Sequence, residues 1–159
     1  MTRGVLLDVA GYKGVAQLPP TYEITPADLE GALAKARLEI RPADAVYLHT
    51  GWGALWMKDN ATFGKSEPGI GLAAARWLVA KQITLVGADT WGTEVAPNPD
   101  PGLAYPVHQE LITRNGVYNH ENLATEVLVE AGVREFLMAF APLKLKGATG
   151  SPGAPIAIV

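Results

Sequence analysis

The sequence predicts an α/β protein with a mixed sheet and flanking helices, and three observations lead there. Short apolar runs bounded by turn residues alternate with segments whose apolar residues recur at helical spacing. The order strand, helix, strand, helix, strand places a βαβ crossover in the first half, so part of the sheet is parallel. A chain of 159 residues, 48% of them apolar, is long enough to bury a substantial core as a single domain over residues 1–159.

Taken in order, residues 5–9 (Val-Leu-Leu-Asp-Val) read as a short buried strand, ended by Gly11 and followed by a loop through Pro19 and Pro20. A helix follows. Thr25 can cap it, Pro26 suits its first position, Asp28 completes a capping-box spacing, and Leu29, Leu33 and Ala36 form its apolar stripe. Residues 45–50 alternate as a strand, with Val46 and Leu48 on one face and Tyr47 and His49 on the other. A long loop over 51–69 carries Trp52, Trp56 and Phe63. The spacing of Ala73, Ala74, Trp77 and Leu78 predicts a helix over 70–81, which runs into a continuous apolar strand at 83–87. Beyond a Pro-rich loop, a helix is expected over 107–114, ended by Asn115-Gly116. Then come a short strand at 117–121, a helix at 124–131 closed by Gly132, a strand at 134–141 and a last strand at 155–159.

Composition removes several classes of function. With no Cys, the chain has no disulfide framework, thiolate metal site or Cys nucleophile. Thirteen Lys and Arg against sixteen Asp and Glu leave a net charge of −3, without a basic cluster. No nucleic-acid or membrane partner is therefore expected. No apolar run is long enough to span a bilayer or to form a signal-peptide core, so the expectation is a cytoplasmic protein acting on a small-molecule substrate. Charged residues make up only 18%, below the roughly 25–35% of a well-covered surface. This shortage predicts a homo-oligomer, a dimer or higher.

The three histidines are the scarcest chemical resource, and none lies three or four residues from another, so no local chelate is written into the sequence. His108 opens a helix, and Glu121 follows thirteen residues later beyond a turn. Each is either structural or functional on spacing alone. Asp89 and Thr90 follow a buried strand, at the end of the sheet where ligands sit in open α/β folds, or else cap a turn. His49 ends its own strand and could share a pocket with Asp89. Trp52, Trp56 and Trp91 line either an aromatic pocket or the core. No G-x-S-x-G elbow or dinucleotide fingerprint is present.

Together, Arg3-Gly4-Val5-Leu6-Leu7-Asp8, Asp89-Thr90-Trp91, Pro106-Val107-His108-Gln109, Glu121-Asn122-Leu123 and Gly147-Ala148-Thr149-Gly150-Ser151-Pro152 closely resemble the cyclase family of metal-dependent hydrolases. The resemblance is collinear over essentially the whole chain. It implies a swivelling β/β/α fold and hydrolysis of an amide, often cyclic, at a Zn or Mn site. His108 and Glu121 match the C-terminal metal-ligand positions. The family's other ligands lie in an upstream H-x-x-x-H-x-D motif that this sequence lacks, so an N-terminally shortened version of the fold is expected. His49 stands where an Arg commonly precedes the Thr-Gly pair, and His120 adds a second unusual histidine.

The resulting expectation is a divergent hydrolase of amide, lactone or ester bonds that uses a metal-activated water. His108 and Glu121 hold a divalent metal, Zn or Mn; His49, Asp89 and His120 are catalytic, with His120 or His49 as additional ligand or base; Trp52, Thr90 and Trp91 contact substrate. The alternatives are a non-catalytic oligomeric remnant of the fold and a metal-free hydrolase using His49 with Asp89. For the oligomer, the expected interface is the strand at 5–9 or the loop at 52–63.

Overall fold

A computed structural model describes all residues, 1–159. Its centre is the apolar N-terminal segment, which forms β1 (Thr2–Asp8). β1 pairs in parallel with β3 (Ala45–His49), β3 with β5 (Leu85–Ala88), and β5 with β6 (Tyr118–His120). On its other side β1 pairs antiparallel with β7 (Glu135–Ala139), and β7 with β8 (Ile156–Ile158). The six-stranded sheet is thus mixed, in the order β6-β5-β3-β1-β7-β8. The parallel half follows from the crossovers through α2 (Pro26–Ala36) and α4 (Leu72–Ala80), because parallel neighbours need a long connection.

Alternation along the strands creates two unlike faces. Val5, Leu7, Val46, Leu48, Val86 and Ala88 face the helical layer and meet Leu29, Leu33, Ala74 and Leu78. Leu6, Ala45, Tyr47 and Leu85 face the other way, against Phe136 and Met138. The second face is covered by the turn at 123–125 and the short helix α6 (Glu126–Glu130), and an apolar cavity of about 320 Å³ stays open beside Tyr47, Thr125 and Phe136.

The expected capping box is present: Asp28 N–H donates to Thr25 Oγ1 at 3.3 Å, and Thr25 N–H donates back to Asp28 Oδ2 at 2.9 Å. Two segments read as loop contain short helices. In α1 (Val9–Lys13) the Asp8 carboxylate accepts from Gly11 N–H at 2.8 Å, and in α3 (Asn60–Lys65) Asp59 accepts from Thr62 N–H at 3.1 Å. Both depend on a cap and neighbours, because helices this short lack enough periodicity to be seen. The same loop holds β4 (Gly69–Ile70), which pairs with β2 (Glu23–Ile24). The helix expected over 107–114 is α5 (Pro106–His108), which widens into π-type turns over Gln109–Arg114.

One expectation is corrected. β1 has no free edge for a second chain, because β3 and β7 flank it and Val5, Leu6 and Leu7 are fully buried. The outer strands are β6 and β8.

Gly4 shows how tightly β1 and β7 approach. A methyl group built there would lie 2.3 Å from the Phe136 ring. Gly4→Ala is therefore expected to lower stability by about 1–3 kcal/mol through overpacking, measured by urea denaturation, with Phe136→Leu in the same chain recovering most of the loss.

Candidate functional site

Three buried carboxylates organise the C-terminal ends of the parallel strands. Asp89, directly after β5, is 1% exposed. Its Oδ1 accepts from Thr50 N–H at 2.9 Å and from the Thr50 hydroxyl at 2.7 Å, and its Oδ2 accepts from Gly51 N–H at 2.8 Å. This carboxylate ties the loop after β3 to the end of β5. Glu94 is equally buried and accepts from Val107 N–H at 3.2 Å, from His108 N–H at 3.1 Å and from His108 Nδ1. It thereby satisfies donors at the start of α5 that no helical carbonyl can reach. Glu67, with no exposed surface, accepts from Gly92 N–H at 3.1 Å through Oε2, while its Oε1 has no partner.

With Nδ1 held by Glu94, the other side of the His108 ring faces Glu121, Nε2 to Oε1 at 3.1 Å. Asn119 Nδ2 also donates to Glu121 Oε1, at 3.0 Å. The Thr93 hydroxyl, 2.6 Å from Asn119 Oδ1, fixes the orientation of that amide. Hydrogen bonds to Glu121 and then Glu94 hold the imidazole proton, raising the His108 pKa to about 9 against the opposing effect of burial. Tyr105 stands edge-on to both His108 and Trp91, with ring centroids 5.7 and 6.5 Å away, and forms an aromatic wall. Thr93, Tyr105 and Asn122 all have left-handed backbone, with φ of 61°, 49° and 54°. Such conformations cost of order 1–3 kcal/mol each and persist where surrounding structure imposes them.

The structure therefore brings His108, Glu121 and Trp91 together, sets His49 beside Asp89, and leaves His120 and Trp52 apart from them. His120 is turned away from Glu121, because successive strand residues point to opposite faces. It packs edge-on against Phe140 and lies 3.4 Å from the Tyr47 hydroxyl, where burial lowers its pKa and Nε2 has no partner. His49 is on that second face too, with Nδ1 2.8 Å from the Thr125 hydroxyl and 3.5 Å from Asp89 Oδ2. Asp89 thus stands beside His49, as expected, while its close hydrogen bonds go to Thr50 and Gly51. Trp52 is core: 1% exposed, it donates from Nε1 to Phe63 O at 3.3 Å. Thr90 is buried, and its hydroxyl accepts from Thr93 N–H at 3.2 Å.

Glu67, Glu94, Asn119 and Tyr105 were not anticipated. Glu94 carried a usable signal, since it follows β5 by a few residues, as Asp89 does. Glu67 carried none, because it reaches the site through the ribbon of β2 and β4 and not through a motif.

A bound divalent metal needs about four donors, usually three or more of them from protein in a catalytic zinc site. No group of three or more His, Asp or Glu side chains is arranged to hold an ion. His108 Nε2 and Glu121 Oε1 offer two converging donors, so these residues by themselves do not fit a complete metal centre. No helix is long and apolar enough to cross a membrane.

Burial raises the Glu67 pKa from 4.5 to about 8. The native state then binds a proton that the unfolded state releases, so the destabilisation is absent below about pH 4.5 and complete above about pH 8. Glu67→Gln is expected to raise the thermal midpoint at pH 8 and to change it little at pH 4.5. Scanning calorimetry across that window checks the trend.

A family model described as Cyclase matches residues 1–95. A crystal structure of a novel cyclase is similar at 37% identity with a TM-score of 0.86, over 99% of this chain and 53% of that one. An isatin hydrolase bound to the product analogue thioisatinate is 25% identical, with a TM-score of 0.78 over 99% of this chain and 60% of that one. A potential metal-dependent hydrolase with cyclase activity is also 25% identical, with a TM-score of 0.68 over 97% of this chain and 63% of that one. The chain thus spans little more than half the length of the solved structures it matches. No curated protein matches the sequence.

Proposed function

The chain belongs to the cyclase family, and we propose that it serves hydrolysis of an amide, lactone or ester bond in a small molecule at the His108–Glu121 pair. The observation that carries this reading is the convergence of Nε2 and Oε1 at 3.1 Å, with the imidazole oriented from behind by Glu94. A histidine whose far nitrogen is held by a carboxylate is the arrangement that fixes a ligand's tautomer and direction. On this reading the pair contributes two donors to a Zn or Mn site, and the remaining donors come from other polypeptide, either a further stretch of chain or a second copy.

Within this chain the roles divide clearly. Glu94 orients His108, Asn119 steadies Glu121, and Trp91 and Tyr105 wall the approach against a flat substrate. The shared proton and a divalent cation compete for the same two atoms, so metal uptake should strengthen as pH rises toward 9.

Metal analysis of the purified protein, combined with assays on amides, lactones and activated esters before and after chelation, tests the proposal. Turnover should fall on chelation, return with Zn or Mn, and disappear in His108→Ala while the fold survives. Turnover that persists through both treatments would sink it. A second reading, a non-catalytic oligomer of this fold, is favoured by the lack of a third donor. It predicts no turnover and only a stability change in His108→Ala.

Assembly is part of the same proposal. The incompletely covered second face, the outer strand β8 with Ile156 and Ile158 more than half exposed, and the low charge all favour a homo-oligomer. Light scattering at micromolar concentration should report a multiple of 16.8 kDa, and a stable monomer would remove the claim.

A further inference from the structure

We infer that Glu67 is a positioning residue for His108, acting through the backbone at Gly92. The inference rests on the reading that His108 belongs to the working site, and it adds a residue from a separate part of the chain.

Glu67 is anchored at both levels. Its backbone N–H donates to Ala96 O at 2.8 Å and its carbonyl accepts from Ala96 N–H at 3.1 Å, while its side chain accepts from Gly92 N–H at 3.1 Å. These bonds clamp both ends of the segment 92–96, and that segment carries Glu94, which holds His108. Gly92 also adjoins both groups in space. A methyl group built on Gly92 would lie 2.6 Å from Glu67 Oε1 and 3.8 Å from His108 Cε1, so the carboxyl group and the imidazole both border the bare α-carbon at 92. Glu67 therefore supports the ring from behind by two routes, the Gly92 backbone and the segment that delivers Glu94.

A carboxyl group with no exposed surface and one oxygen unpartnered is a costly way to fill space, since an unmade buried hydrogen bond costs free energy and an apolar side chain would not incur it. What an apolar residue cannot supply is an acceptor for Gly92 N–H. Glutamine can, because its amide oxygen has the same reach. Acceptor geometry, and not charge, is the property the position requires.

The test compares Glu67→Gln with Glu67→Ala, reading the His108 Nδ1 proton by NMR on the full chain without substrate or metal. The wild-type protein and Glu67→Gln should retain a downfield Nδ1 resonance from the bond to Glu94. Glu67→Ala should lose it or shift it strongly while the His49 and His120 signals stay in place. Leu33→Ala, a core substitution in α2, which carries none of the site residues, controls for general loss of stability and should leave the resonance untouched. In the hydrolysis assay, Glu67→Ala should lower kcat by about 10–100-fold with KM little changed, and Glu67→Gln should restore most of it. A folded Glu67→Ala protein with the wild-type resonance would overturn the inference, as would a Glu67→Gln protein that loses it as fully as Ala does. Should Glu67→Ala fail to fold, Gly92→Ala applies the same test from the other side of the contact: loss of the resonance supports the inference and retention overturns it. Because the resonance needs no turnover, an inactive wild-type protein would refute the hydrolase reading while the resonance still decides whether Glu67 holds the ring.

Discussion

A carboxylate sealed away from water must find donors for its oxygens, and the layout of this protein's working end follows from meeting that demand in one neighbourhood. Asp89 meets it with the loop after β3, and Glu94 with the first turn of α5 and the His108 ring. Glu67 meets it only halfway, with a single amide, and burial keeps it as the neutral acid below about pH 8. Each carboxylate reaches between segments distant in sequence, so satisfying its lone pairs also closes a loop onto the sheet. The order of dependence runs from buried acid to loop to imidazole. His108 is oriented because Glu94 is, and Glu94 is fixed because the segment around it is bonded on both sides.

The sheet divides the chemistry into two compartments. On the helical side and at the strand ends stand the carboxylates, Asn119 and His108. On the other side stand His49, His120 and Tyr47 among apolar neighbours. Burial pushes the His120 pKa down while flanking carboxylates push that of His108 up, so two histidines twelve positions apart have opposite protonation tendencies. Their difference comes from which side of β6 each meets, and not from sequence context.

The legible parts of the fold were those whose signal is local. The capping box at Thr25 and Asp28, the alternation of residues 45–49 and the continuous apolar run before Asp89 each state their own conformation, and all are found. The short helices at 9–13 and 60–65 were not legible, because each is held by a single cap and the packing around it. Among site residues, His108 and Glu121 were paired through resemblance, although thirteen residues and a turn separate them. Glu67 and Glu94 stayed hidden because their roles depend on loops closing over the strand ends, which no spacing rule encodes. His120 adjoins Glu121 in sequence, and at the end of a strand that adjacency sends two side chains apart.

The same alternation sets which mutational routes are open to this architecture. β6 is a three-residue outer strand that presents Asn119 to one compartment and His120 to the other. Point substitutions sample each compartment independently, since changing the inward residue leaves the outward one where it is. Insertion or deletion of one codon just ahead of the strand acts differently, because it exchanges the two sets at a stroke. An imidazole would then enter the carboxylate cluster and an amide would enter the apolar face. A length change just ahead of residue 118 therefore alters both compartments at once and displaces Glu121 with them, whereas a point substitution alters one.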